Sequence, residues 1–307
     1  MLVALFFGVL FFSLTGCATP QTSNLTAHWP EHLPARVELS KIRFYPQEQF
    51  ECGPASLAML LQSAGKDVSP EQLVEQVYLP NREGTLQIEM LAATRRYGLL
   101  GYQLAQDMTT LLRELAAGHP VLVFQNLSFP IYPIWHYAVA IGYDRERNTL
   151  TLHSGRSERQ TISLFAFERT WARADYWAMV ALPLDQLPAT AAADPFAASI
   201  AALERVNPRA ALTAYQTALK QWPQHRILLF GEGNAAYAQG LWLDAFVAYT
   251  NAVRVHPDFA DAWNNLAQVS LDLGRRESAL MAIDRAVTLG GIRLAQYQSL
   301  QREINNR

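Results

Sequence analysis

Gly240 and Gly274, Ala245 and Ala279, and Ala252 and Ala286 each stand 34 residues apart. One period earlier, Ala211, Tyr215, Ala218 and Pro223 hold the places of Ala245, Tyr249, Ala252 and Pro257. A period of this length holds two helices and their turns, and one such unit cannot bury its apolar face alone, so the units must stack. Small residues let paired helices cross closely, glycine supplies the turn backbone, and proline stops one hairpin before the next. Residues 194–307 are therefore expected to form an all-α stack of about 2.5 to 3 units, with "IRLAQYQSLQREI" as a capping helix.

The chain before the repeats has another texture. Helical patterns run through residues 53–64, "SPEQLVEQVYL", "TLQIEMLAATRRYG" and "TTLLRELAAG", and Ser69 followed by Pro70 is a helix-start signal. Strand patterns follow in "PVLVFQN", "HYAVAIGYD", "TLTLHSG" and "YWAMVALP", with "YDRERNT" as a hairpin turn. Helices first and an antiparallel sheet after them make residues 40–183 an α+β domain. Residues 184–193, bounded by proline, read as a linker. A net charge of −2 with no basic stripe gives no case for nucleic-acid binding.

Residues 1–16, "MLVALFFGVLFFSLTG", are almost wholly apolar but shorter than the ~20 residues of a spanning helix. They fit the apolar region of a secretory signal, although no Lys or Arg precedes them. The "LTGC" ending at Cys17 resembles the lipobox of bacterial lipoproteins. The resemblance implies cleavage before Cys17, lipidation of that residue, and, with Ala18 next, an outer-membrane anchor facing the periplasm. Residues 17–39 then read as a tether.

Only one other cysteine exists, Cys52 in "ECGPASLAML". It falls at the expected start of a helix, where unsatisfied N–H groups and the helix dipole favour a thiolate. Gln47, five residues upstream, could aim its amide at an oxyanion beside the Cys52 N–H, with Gln49 as a nearer competitor. His136 opens an otherwise apolar strand and is a candidate general base. Cys52, His136 and His153 could supply three metal ligands, but no closely spaced ligand pair supports a metal site, and no cofactor is called for.

"CGPAS" on a helix followed by a strand opening "HYAV" resembles the papain-like cysteine peptidases, and within them the bacteriocin-processing, double-glycine-leader peptidases. That resemblance covers about residues 42–183. It implies Cys52 as nucleophile, His136 as base and Gln47 as oxyanion donor. The family's third member is an Asp on the return strand, and "TLTLHSGRSE" has no carboxylate at that distance from His136. Ser154, His153 or Asp144 could stand in. The C-terminal period resembles the tetratricopeptide repeat, which implies a solenoid whose groove recruits a protein partner or substrate. The expected activity is hydrolysis of peptide bonds. An acyl transferase or amidase using the same dyad, or a non-catalytic scaffold, are the alternatives.

Exchange of Cys17 for Ser is expected to move the protein from the membrane fraction to the soluble one. Unchanged membrane association after that exchange would count against a lipid anchor.

Overall fold

The computed structural model of the chain describes residues 19–46 and 52–306. Helix α1 (Pro20–Ala27) and strand β1 (Arg36–Glu38) come first, then α2 (Cys52–Ser63) and α3 (Pro70–Val77). A short pair, β2 (Tyr78–Leu79) and β3 (Gly84–Thr85), leads into α4 (Gln87–Arg96), β4 (Leu100–Gln103) and α5 (Met108–Ala116). Four strands follow, β5 (Val121–Asn126), β6 (Trp135–Asp144), β7 (Thr149–Ser154) and β8 (Ser157–Ser163), then α6 (Leu164–Ala172) and β9 (Ala178–Leu182). The repeats occupy α7 (Ala193–Glu204), α8 (Pro208–Gln221), α9 (Arg226–Tyr237), α10 (Trp242–Val255), α11 (Ala260–Asp272), α12 (Arg276–Leu289) and α13 (Leu294–Asn306). Among the described residues no helix is long and apolar enough to cross a membrane.

The α+β class read from the sequence is the observed one. One antiparallel sheet has the order β4-β9-β5-β6-β7-β8, and β1 pairs with the far end of β6. Strand β6 is buried on both faces, so it reads as a continuous apolar run. Tyr137, Val139 and Ile141 face α2, while Ala138 and Ala140 join the core under α5 and α6. Ser69 caps α3 in a full capping box with Gln72, as its sequence predicts.

One expectation changes, and two features come only from the structure. The tether expected over residues 17–39 is folded from Pro20 onward: Thr22, Leu25 and Leu33 are buried, and β1 joins the sheet. Buried Glu168 draws α1 in by accepting from the N–H groups of Gln21 and Thr22 at 3.1 and 2.7 Å. The linker expected over residues 184–193 is likewise fastened. Buried Glu114 accepts from the N–H groups of Ala189 and Thr190 at 3.2 and 2.7 Å. Strand β8 was invisible because "SERQTIS" is an edge strand whose side chains are mostly exposed, with no apolar alternation to betray it.

The repeats pack as their period requires. Ala211, Ala245 and Ala279, and again Ala218, Ala252 and Ala286, are fully buried. Gly240 and Gly274 turn the chain with φ of 72° and 70°. Helix α7 brings Phe196, Ile200 and Leu203 into the core that holds Leu100 and Tyr102, and the Tyr102 and Phe196 rings lie 5.9 Å apart. The repeats therefore share a core with the α+β domain.

Gly142 sits where β1 crosses β6, and a Cβ there would meet the Val37 carbonyl oxygen at 2.3 Å. Backbone cannot yield there as a side chain could. Gly142→Ala is expected to cost about 1–3 kcal/mol and lower Tm by several degrees. Gly84→Ala, whose nearest contact would be 3.7 Å away, is the control and should leave Tm nearly unchanged.

Candidate active site

Helix α2 is apolar on every side and buried from Gly53 to Leu61, so it runs through the middle of the domain. Pro54 fits the first turn because its missing N–H would have no partner there. Gly53 lets the helix start touch β3, since a Cβ would stand 2.4 Å from Thr85 Oγ1. The Thr85 carbonyl in turn accepts a hydrogen bond from Tyr137 Oη at 3.0 Å. This chain of contacts joins the first turn of α2 to the first turns of β6, the places of Cys52 and His136.

Cys52 and His136 line one cavity of about 1090 Å³, along with Trp135 and Tyr137. The Cys52 sulfur accepts from the backbone N–H of Tyr137, the residue after His136. Along β6 the side chains alternate, and His136 belongs to the series facing away from α2. It shares with Cys52 a cavity whose lining also takes in Gly155 and Arg156 of the β7–β8 turn. Trp135 stacks on Phe124 at 5.1 Å and makes that wall apolar.

His136 Nε2 lies 2.9 Å from Ser154 Oγ. The three candidates for this third position are thus separated by the structure. His153 faces the other side of the sheet, with Nε2 on the Ile42 carbonyl at 3.1 Å and its ring 5.2 Å from Phe44. It also stands apart from any three-ligand set with Cys52 and His136. Asp144 closes the opposite end of β6, where Oδ1 accepts from Arg147 N. Eight residues of strand put it roughly 26 Å from His136. The choice between neighbours Ser154 and His153 rests on a bulge. Gly142 pairs with Thr151, but Ala140 pairs with Leu152, so Ile141 is an extra residue on β6. Without it His153 would face the His136 side; with it Ser154 does.

Burial, the largest influence, pushes the Cys52 thiol above its ordinary value, against the smaller pull of the N–H groups of Tyr137, Gly53 and Cys52. This corrects the thiolate expected from the helix start: the dipole acts, but desolvation outweighs it. Burial also lowers His136 to about 4. At neutral pH the Cys52 thiol and the His136 imidazole are therefore both uncharged.

Gln47, its competitor Gln49 and Cys17 lie outside the described residues. Tyr137 and Thr85 were not found by sequence reasoning. Tyr137 could have been flagged by its place beside His136, whereas Thr85, in a two-residue strand, carried no signal.

Residues 39–179 match the Peptidase_C39 like family, and residues 196–249 and 244–291 match the tetratricopeptide repeat. The chain joins a C39-like domain to tetratricopeptide repeats. No curated protein gives a significant match. Among solved structures, a putative C39-like peptidase from Bacillus anthracis is 18% identical, covering 48% of this chain and 98% of its own, with a TM-score of 0.42. The peptidase domain of Streptococcus ComA, a bi-functional ABC transporter of a quorum-sensing pathway, is 21% identical over 46% of this chain and 98% of its own, with a TM-score of 0.39. The TPR2B-domain:pHsp70 complex of yeast Sti1 is 18% identical over 37% of this chain and 94% of that one, with a TM-score of 0.34.

Because the thiol is neutral at rest, iodoacetamide should modify Cys52 slowly at neutral pH, and the rate should still be climbing beyond the ordinary thiol value of 9.0. Deprotonation creates the nucleophile, so the rate rises with pH. Ser154→Asp would set a carboxylate beside Nε2, raise the His136 pKa and increase the neutral-pH rate by about tenfold. A rate already maximal at pH 6 in the parent protein would contradict the neutral pair.

Proposed function

We propose that this protein is a membrane-anchored cysteine peptidase of the periplasmic face of the outer membrane, with Cys52 as nucleophile and His136 as base. The observation that carries the reading is the shared cavity of Cys52 and His136, with His136 Nε2 held by Ser154 Oγ at 2.9 Å, inside a C39-like domain.

The chemistry follows from the neutral pair. With Nε2–H donating to Ser154 Oγ, Nδ1 keeps its lone pair. As the Cys52 sulfur attacks a peptide carbonyl, His136 takes the thiol proton. The Cys52 backbone N–H and, by the family resemblance, the Gln47 side chain stabilise the oxyanion. The imidazolium then protonates the leaving amine, which departs and leaves a thioester on Cys52. Water, losing its proton to His136, hydrolyses the thioester and frees the acid. A hydroxyl at Nε2 supports the imidazolium less than a carboxylate does, so turnover is modest.

The anchor is the lipidated Cys17 implied by "LTGC". The repeats recruit a polypeptide, substrate or partner, and the fastened linker keeps that polypeptide in a fixed relation to the cavity. Support for this role is the repeat match itself.

The test is peptide hydrolysis by the purified full chain. Cys52→Ala and His136→Ala should each lower kcat/KM by about 10³-fold or more with the fold intact by circular dichroism. Ser154→Ala should lower kcat by about tenfold with KM little changed. Hydrolysis that survives Cys52→Ala would remove the nucleophile assignment. Acyl transfer to an added amine in place of hydrolysis would favour a transferase, and no turnover of any acyl substrate would favour a scaffold.

A further inference from the structure

The link between β5 and β6 is a hairpin that presents large apolar side chains to solvent. Phe129, Ile131 and Tyr132 are 72%, 80% and 76% exposed, and Ile134 and Trp135 are more than half exposed. No charged residue occurs from Asn126 to Tyr137. An uncharged, exposed patch of this kind marks a surface that meets an apolar partner.

Its backbone is largely satisfied. Asn126 Oδ1 accepts from Ser128 N and Ile134 N, each at 3.0 Å, Leu127 N donates to the Ile134 carbonyl at 2.9 Å, and Tyr132 N donates to the Phe129 carbonyl at 3.1 Å. Pro130 and Pro133 have no N–H to satisfy. With the N–H groups of Leu127, Ser128, Tyr132 and Ile134 bonded, the loop enters a low-dielectric layer at less cost than one with all its donors open. Trp and Tyr are the side chains that settle at a lipid–water boundary.

The same end of the domain holds the N-terminal helix. Glu168 of α6 accepts from Gln21 N, and Arg173, which caps α6, donates from Nε to the Asn126 carbonyl at the hairpin base, 3.2 Å away. Those two positions on α6 are about 8 Å apart along the helix. A further thread runs from Gln21 Nε2 to the Gln106 carbonyl and from Gln106 Nε2 to the Asp175 carbonyl, at 3.0 and 2.8 Å. Since the chain is folded from Pro20, Cys17 can stand no more than about 14 Å from Gln21.

We propose that the hairpin over residues 127–135 seats in the bilayer surface to which Cys17 is anchored, so that the cavity of Cys52 and His136 opens at the membrane interface. This rests on the lipidated Cys17 of the preceding section. The short reach from Cys17 to Gln21 argues for lipid as the occupant over a polypeptide. Ile134 and Trp135 belong both to the hairpin and to the cavity lining, so seating one positions the other. The substrate would then be a polypeptide segment lying at or tethered to that surface.

The test uses the full chain isolated from membranes and reconstituted into phosphatidylethanolamine–phosphatidylglycerol vesicles, part of whose acyl chains carry bromine. Lipid on Cys17 is read independently from the mass of the N-terminal peptide. With lipid present, bromine should quench tryptophan fluorescence, and Trp135→Phe should remove most of the quenched signal. The double exchange F129D/I131D, at positions outside the cavity lining, should make quenching about tenfold weaker while leaving kcat/KM on a soluble peptide unchanged. Lipid on Cys17 with no quenching difference among these proteins overturns the hairpin proposal and leaves the anchor standing. Absence of lipid on Cys17 overturns the anchor, and with it the reach argument. Loss of soluble-peptide turnover in F129D/I131D with quenching unchanged overturns the proposal in favour of a polypeptide-docking hairpin.

Discussion

A hydrogen in place of a side chain at Gly53 lets the first turn of α2 lie against Thr85, and that contact fixes where the buried helix begins. Everything at the site is referred to this point. Thr85 holds Tyr137 through its carbonyl, Tyr137 offers its N–H to the Cys52 sulfur, and His136 is the next residue back along β6. The remainder of α2 is locked by burial on all sides, so its start cannot drift relative to the sheet.

Two buried carboxylates make the rest of the chain follow this frame. Glu168 binds the N–H groups that open α1, and Glu114 binds those of the linker before α7. Charge-assisted bonds of this kind are strong, and removal of the acceptor would strand buried donors. Glu114 also meets His119 Nδ1 at 2.7 Å. A segment that would otherwise swing becomes part of the domain, and the helical stack that follows shares its core through Phe196 and Ile200.

The apolar wall that makes the cavity also sets its chemistry. Burial that raises Cys52 and lowers His136 leaves an uncharged resting pair, and Ser154, a neutral partner for Nε2, does not reverse this. In the reaction proposed above, proton transfer therefore accompanies attack rather than preceding it in a preformed ion pair.

What the sequence determined by itself was whatever is local. The 34-residue period, the Ser69–Pro70 helix start, the helix run after Cys52 and the apolar run after His136 are written in neighbouring residues, because helix and strand periodicities repeat over a few positions. What tertiary structure decided was non-local. Whether Ser154 or His153 faces His136 turned on the single extra residue Ile141, which reverses the faces of β7 beyond it. The docking of α1 depended on Glu168, almost 150 residues away in sequence. The charge state of Cys52 depended on the walls that close over it: its helix position alone points to a thiolate, and only burial, which no short stretch of sequence records, reverses the sign.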